Sequence, residues 1–381
     1  MRIVFIFFLM VFLGACTSSL KVISVKNDTK IKKEGVFYFL PKTMIAIDVS
    51  IKETRYFKGP FFEYSSKFTG INNVIQENKV EYSLQNIKYN VFSIPDTSKL
   101  YYIQTSKLAK KDNFIIDLDD NGNILALNCD GDFVNNSSNN YKNIKNISQN
   151  VNFDDFEHFA VGNTQVRTDT IIEKMIVDTI TIEKQILQHK IIEKSLEDKA
   201  RDAANYIELI ADNKMKLISG YQEVNYDKNT LAMMILELDK QLMDYTSLFT
   251  GKTFEQDLTF QIIIDPSKIE QNDFLFSINS NSGLNFNEDS LMPTNNYYYS
   301  IIPEKYTDVI PVTKMEKKKS YRSLLYSIPE TCVLNIFNGN ANLVISEKVF
   351  ISQLGTIGIL PENVKKIIFN PLNGSIKHIE K

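Results

Sequence analysis

Between Lys21 and Cys129, apolar and polar residues partly alternate within short runs, the period of a half-buried strand. The segments "GVFYFLP", "TMIAIDVSIKETRYF", "KVEYSLQNIKYNVFSI" and "KLYYIQT" are rich in β-branched and aromatic residues. The break from Lys58-Gly59-Pro60 to Thr69-Gly70 has room for a helical turn or two. Strand-like residues return from Val166 to Leu187 in "IIEKMIVDTITIEKQIL". The period then changes. Ser195 with Asp198 three residues later forms a capping-box signature, and Leu196, Ala200, Ala203, Ile207 and Ile210 follow on one helical face, stopped by Gly220. Leu231, Met234, Leu238, Leu242, Tyr245 and Phe249 repeat the pattern up to Gly251. Two amphipathic helices joined this closely predict an αα-hairpin. Ala200, Ala203 and Ala204 would let it pack closely.

After Gly251 the pattern is β again, in "DLTFQIIIDP", "DFLFSIN", "NYYYSIIP", "YRSLLYSIP", "TCVLNIF", "ANLVISEKVFI" and "VKKIIFNP". Turn-separated short strands suggest a sandwich or barrel-like domain. The expected fold is α+β, predominantly β, with two antiparallel β domains and the αα-hairpin between them. Their expected spans are 35–130, 166–251 (a strand plus the hairpin) and 252–381. Residues 131–165, with "NNSSNNYKNIKNISQN", read as an Asn-rich linker or loop with little to bury. Asn136-Ser137-Ser138 and Asn146-Ile147-Ser148 match glycosylation acceptors and are discounted. No repeat of solenoid period is present.

One stretch, "FIIDLDDNGNILALN", places Asp117, Asp119, Asn121 and Gly122 at calcium-loop spacing. The twelfth loop position is Asn128, which cannot supply the bidentate carboxylate, and the flanks alternate as strands. A hairpin fits better. With Asn121-Gly122 as a two-residue turn, both at positive φ, Leu118 faces Leu125, Ile116 faces Leu127 and Phe114 faces Cys129. Asn338-Gly339 and Asn373-Gly374 are expected to turn the same way. Asp117, Asp119 and Asn121 remain a weak metal candidate.

The amino terminus adds an address. Arg2 precedes an apolar run from Ile3 to Leu13, too short for a membrane span and suited to a signal-peptide core. Leu13-Gly14-Ala15-Cys16 resembles the lipobox of bacterial lipoproteins, which implies removal of residues 1–15, lipidation at Cys16 and a tether over 16–34. Thr17 is not the usual inner-membrane retention residue. Outer-membrane sorting is therefore expected, and the lack of an acidic run in "TSSLKVISVK" favours the periplasmic face over the cell surface. The net charge of −3 offers no electrostatic case for nucleic acid. Cys129 and Cys332 are left as either a disulfide or buried free thiols.

Reactive constellations are scarce. His158, His189 and His378 are the three histidines, none at metal-ligand spacing. Asp154-Asp155 reads as solvated acids sooner than half of a glycosidase pair. Tyr297-Tyr298-Tyr299 alternates in a strand, so packing is favoured over a ligand platform. Lys314, Lys317, Lys318, Lys319 and Arg322 form a basic cluster that would lie on an exposed loop. No catalytic residue and no cofactor is expected from these patterns.

"GVFYFLPKTMIAIDV", "YFKGPFFEYSSKFTGINNV", "KARDAANYIELIADNKMKLISG", "LDKQLMDYTSLFTGKT" and "LLYSIPETCVLNI" with "ISQLGTIGILP" occur in an order that resembles the uncharacterised domain-of-unknown-function lipoproteins typical of Bacteroidetes. The resemblance runs from about Gly35 to the C-terminus. It implies the address and element order, and carries no catalytic residues. The expected function is a non-enzymatic envelope lipoprotein that binds or scaffolds, with the outer membrane and an envelope protein as partners. An envelope glycan or peptide hydrolase and a periplasmic small-ligand carrier are the alternatives.

Overall fold

The computed structural model describes residues 20–26, 29–31, 33–105, 115–129, 163–177, 180–221, 224, 226–267, 272–304, 320–360 and 364–380. The protein is α+β and mostly strand. The first strands are β1 (Leu20–Ser24), β2 (Gly35–Phe57), β3 (Lys79–Thr105), β4 (Ile116–Leu118) and β5 (Ile124–Leu127). Then come β6 (Thr164–Val177) and β7 (Ile180–Glu193), followed by β8 (Lys252–Ile264), β9 (Asp273–Asn279), β10 (Gly283–Asn285) and β11 (Asn296–Pro303). The last are β12 (Ser320–Tyr321), β13 (Leu325–Asn338), β14 (Leu343–Ile359), β15 (Lys366–Phe369) and β16 (Ile376–Glu380). Helices are α1 (Ser65–Phe68), α2 (Leu196–Ser219) and α3 (Lys228–Thr250). The sheets run β12-β1-β3-β2-β8, β10-β9-β11-β13-β14, β16-β15-β5-β4 and β6-β7.

Two compact units divide the chain, and neither is a single stretch of sequence. The first takes in 1–51, 83–144 and 258–381, the second 52–82 and 145–257. This grouping differs from the segments 35–130 and 252–381 drawn from sequence. Val22, Tyr38, Leu40, Ile103 and Leu127 share one core with Leu324, Leu325, Leu360, Ile367 and Phe369. Neither segment buries these side chains alone, because β5 pairs with β15, and β1, within the span 16–34 read as a tether, pairs with both β3 and β12.

Long strands run through Pro41, Pro95 and Pro329. Pro329 sits inside β13 at an irregularity between Ile328 and Glu330, where a missing N–H costs no ladder bond. Ser352 to Gly355 on β14 stand against Pro329 alone, since Ile328 pairs with Thr356 and Glu330 with Ile351. The bulge brings Ser352 and Gln353 to Thr43 of β2. Gln353 Oε1 accepts the Thr43 N–H at 2.9 Å, and Gln353 Nε2 donates to the Thr43 carbonyl at 2.7 Å. Ser352 N–H donates to Thr43 Oγ1 at 3.0 Å. Buried Thr43 and Ser352 are thus satisfied.

In the second unit, helix boundaries follow their caps. Ser195 and Asp198 make the reciprocal capping box, and Gly220 ends α2 in the left-handed region at φ 75°. Asp227, which the sequence reading missed, caps α3 by accepting the Asn229 and Thr230 N–H groups. Ala200, Ala203 and Ala204 pack with Phe61, Ile210, Tyr245, Leu248 and Phe249 in this unit's own core. The run 166–187, read as one strand-like stretch, is instead the start of a two-stranded ribbon, β6 and β7.

Candidate functional site

The hairpin at Asp119 forms as expected, with a different turn. Ile116 pairs with Leu127 and Asp117 with Ala126, but Leu118 then pairs with Ile124 instead of Leu125. Gly122 N–H donates to the Asp119 carbonyl at 3.0 Å, and Asp119 N–H donates to Asn123 O at 2.9 Å. Gly122 alone takes positive φ, at 81°; Asn121 does not. The two-residue turn with both residues at positive φ is therefore replaced by a type I turn followed by a left-handed glycine. The reason is the Asp119 side chain. Its Oδ1 accepts the Asn121 N–H at 2.9 Å and the Asn123 N–H at 2.8 Å, while Oδ2 accepts from Asn123 Nδ2 at 2.8 Å.

The same device recurs at the β13–β14 turn. Asn338 Oδ1 accepts the N–H groups of Asn340 and Asn342, at 3.1 and 3.0 Å. Ala341, not Gly339, holds positive φ there. At the third Asn-Gly, Gly374 has φ 69° and its N–H donates to Asn370 O at 2.7 Å. An acid or amide opening the turn supplies the acceptors, so the glycine's place shifts relative to the Asn-Gly rule.

Of the weak metal candidates, Asp119 spends both oxygens on this turn and Asn121 is exposed. Asp117 Oδ2 and Asn123 Oδ1 are buried without a hydrogen-bond partner. Asn128, at the would-be twelfth position, has φ 52°, accepts the Ile115 N–H at its side chain and donates from Nδ2 to Lys365 O at 3.0 Å. Among the described residues no group of three or more His, Cys, Asp or Glu gathers to hold a metal. Phe114 lies outside the described residues, as do Cys16, Asp154, Asp155, His158, both glycosylation sequons, and Lys314 to Lys319 of the basic cluster.

Both described cysteines are free thiols. Cys332 is fully buried on β13, and burial, with the charges of Glu330 and Glu304, pushes its thiol up to about 11. Cys129 points its sulfur at the Leu127 and Ile367 carbonyls. His189 is exposed and bonds Thr168 Oγ1 through Nδ1 at 2.9 Å, across the β6–β7 ribbon. His378 is exposed on β16 opposite Ile368. Arg322 is exposed.

The tyrosine triplet is divided by the strand alternation. Tyr297 stacks on buried Phe276 with centroids 4.7 Å apart, and Tyr299 donates its hydroxyl to Asp273 Oδ2 at 3.1 Å. Tyr298 lies on the other face in a row across three strands, between Phe274 at 6.0 Å and Phe337 at 5.9 Å. Each triplet member is half-buried, and the packing reading accounts for their contacts.

Exposed large apolar side chains that sequence reasoning missed lie on the helical hairpin. Met215 and Ile218 of α2, Tyr221 of the connection, and Met233, Leu236 and Met243 of α3 are each more than half exposed. Met233, Leu236 and Met243 fall off the stripe that packs α3 against α2. Leu236 and Met243, seven residues apart on one helical line, were the available signal. Lys214 and Asp239 form an ion pair across the two helices, and Tyr206 stacks on Tyr245 at 5.5 Å, fixing the helices that carry these side chains.

The assembled features define a β-rich α+β protein with an αα-hairpin. It belongs to the family described as "Domain of unknown function (DUF4831)", whose profile matches residues 34–377. Among curated proteins and among solved structures, nothing matches the chain.

Proposed function

We propose that the protein is a non-enzymatic cell-envelope lipoprotein, a binding or scaffolding module held at the outer membrane through a lipidated Cys16. The observation that carries the binding role is the exposed methionine-rich face of the helical hairpin, with Met215, Met233, Leu236 and Met243 each more than half exposed. Large exposed apolar areas mark contact surfaces, and unbranched methionines adapt to a partner's relief. The partner is an envelope protein presenting an apolar face. The anchor is supported by the order of the apolar run Ile3 to Leu13, Gly14, Ala15 and Cys16.

Two experiments test the reading. A photo-crosslinking residue at Met233 or Leu236 should capture a specific outer-membrane protein in cells, while one at exposed Glu255 should not. Equal labelling from both positions would remove the binding role. For the anchor, Cys16→Ala should move the protein from the membrane to the soluble fraction. Unchanged membrane association would overturn the localisation.

A further inference from the structure

The ribbon β6–β7 has two strands of 14 residues each and a continuous register from Thr164–Glu193 to Val177–Ile180. A two-stranded ribbon is marginal alone, and a long exposed edge strand is a template for another chain. Gln165 Nε2 to Asp198 Oδ2 at 3.2 Å and Lys194 Nζ to Asp202 Oδ2 at 2.5 Å tie its base to α2. Beyond the base, Val166 (65%), Leu187 (60%) and Ile191 (77%) are largely exposed, and among the described residues no third strand joins either edge.

The edge has a definite pattern. Lys194 N–H donates to Asn163 O at 2.8 Å, so 163 and 194 form a hydrogen-bonded pair. Antiparallel pairs alternate, which turns the backbone N–H and C=O of the even-numbered β6 residues outward, Val166 to Lys174 among them. A two-fold axis perpendicular to the sheet pairs residues whose numbers sum to an even value, so that each keeps its face. The centre of β6 falls between Thr170 and Ile171, so four registers keep the strand centres nearly together, and the one with its axis at Ile172 makes no pair of opposite charges. An axis at Asp169 sets that carboxylate against its own copy, and an axis at Ile171 sets Asp169 against the other copy's Glu173. An axis at Thr170 has neither clash: it sets Arg167 opposite Glu173 twice and brings the outward N–H and C=O of Thr170 against their own copies. Arg167 already touches Asp169 at 2.9 Å through Nε, which leaves its terminal nitrogens for Glu173. On the other edge, the axis at Leu187 sets Lys184 against Lys190, and the axis at Ile186 makes no carboxylate–lysine or carboxylate–arginine pair.

We infer that a second copy of this chain docks edge to edge along β6, antiparallel about a two-fold axis at Thr170, giving a four-stranded sheet β7-β6-β6-β7. The interface is isologous and closed, so association stops at the dimer. It does not depend on the lipid anchor or on the helical hairpin's partner.

Sedimentation equilibrium of the full-length chain in detergent tests it. A dimer is expected, and Thr170→Pro should give monomers with an unchanged far-UV spectrum, because the lost N–H faces outward. Arg167→Glu and Glu173→Arg should each raise the dimer dissociation constant about tenfold, and the double swap should return it to within about threefold. Thr170→Cys should cross-link two copies under mild oxidation, since hydrogen-bonded pairs have Cα atoms about 5.5 Å apart, within disulfide reach. A monomer at every concentration overturns the proposal. So does a dimer lost in Leu187→Pro but kept in Thr170→Pro, or a double swap that weakens association as much as the two single changes together.

Discussion

The Tyr38 hydroxyl sits on the backbone of Leu325, donating to its carbonyl at 3.3 Å and accepting its N–H at 3.1 Å. The two residues are 287 positions apart and both are buried. Tyr38→Phe strands a buried donor and acceptor, so it should cost about 1–3 kcal/mol in urea unfolding.

The same residue predicts an alkaline limb. Burial pushes the Tyr38 phenol far above its ordinary value of 10.0, so the folded state keeps its proton while the unfolded chain releases it. The sign follows: this stability is fully present below the ordinary tyrosine value and is lost as pH rises above it. Urea midpoints should fall with pH above about 10, and Tyr38→Phe should flatten that slope. An unchanged slope in the variant would remove Tyr38 as its source.

Asp119 separates a turn from a metal loop. Asp119→Ala removes three acceptor contacts and should cost about 1–2 kcal/mol, by the same amount in EDTA and in calcium. Gly122→Ala forces a side chain to φ 81° and to 3.3 Å from the Phe39 ring, and should cost about 1–2 kcal/mol. A calcium-dependent loss for Asp119→Ala would restore the metal reading.

Gly355 is set by close approach, not by φ. A Cβ there would lie 1.9 Å from Ile328 O and 2.7 Å from Glu330 N. Gly355→Ala should cost about 3 kcal/mol and speed hydrogen exchange at Ser352, whose N–H reaches Thr43. Wild-type exchange at that amide would show that the bulge tolerates the methyl group.

The helix caps make an acid limb. Hydrogen bonds from Ser195 hold Asp198 below the usual carboxylate value, and those from Thr230 and Asn229 do so for Asp227. Depressed values mean that the stabilisation is present above the ordinary carboxylate range and lost as pH falls through the folded-state value. Helical signal from α2 and α3 should weaken on that descent, and Ser195→Ala should cost about 1 kcal/mol at neutral pH. A neutral-pH midpoint unchanged in the variant would dismiss the cap.

Sequence alone was enough for both long helices, because the three-and-four spacing of Leu196 to Ile210 and of Leu231 to Phe249 is a local property, as are Ser195 and Gly220. It was enough for the hairpin at Asp117 to Leu127, where the alternation of Ile116 and Leu118 marks one face. It did not show the turn type, which hangs on where the Asp119 carboxylate points. Nor did it show that β13 runs through Pro329, since the tolerance for a missing N–H comes from the opposing bulge in β14. The exposed methionines were legible only in part: Leu236 and Met243 share a helical line, but only the tertiary structure decides which apolar residues stay uncovered.

What the chain's order of residues determined by itself was therefore the set of elements, β-rich with an αα-hairpin, because periodicity and caps act over a few residues. Which strands share a core was decided only by tertiary structure. Tyr38 meets Leu325 and Leu127 pairs with Ile367 because each strand's apolar face must be covered, and the nearest complementary face lies hundreds of residues away, where no local pattern records it.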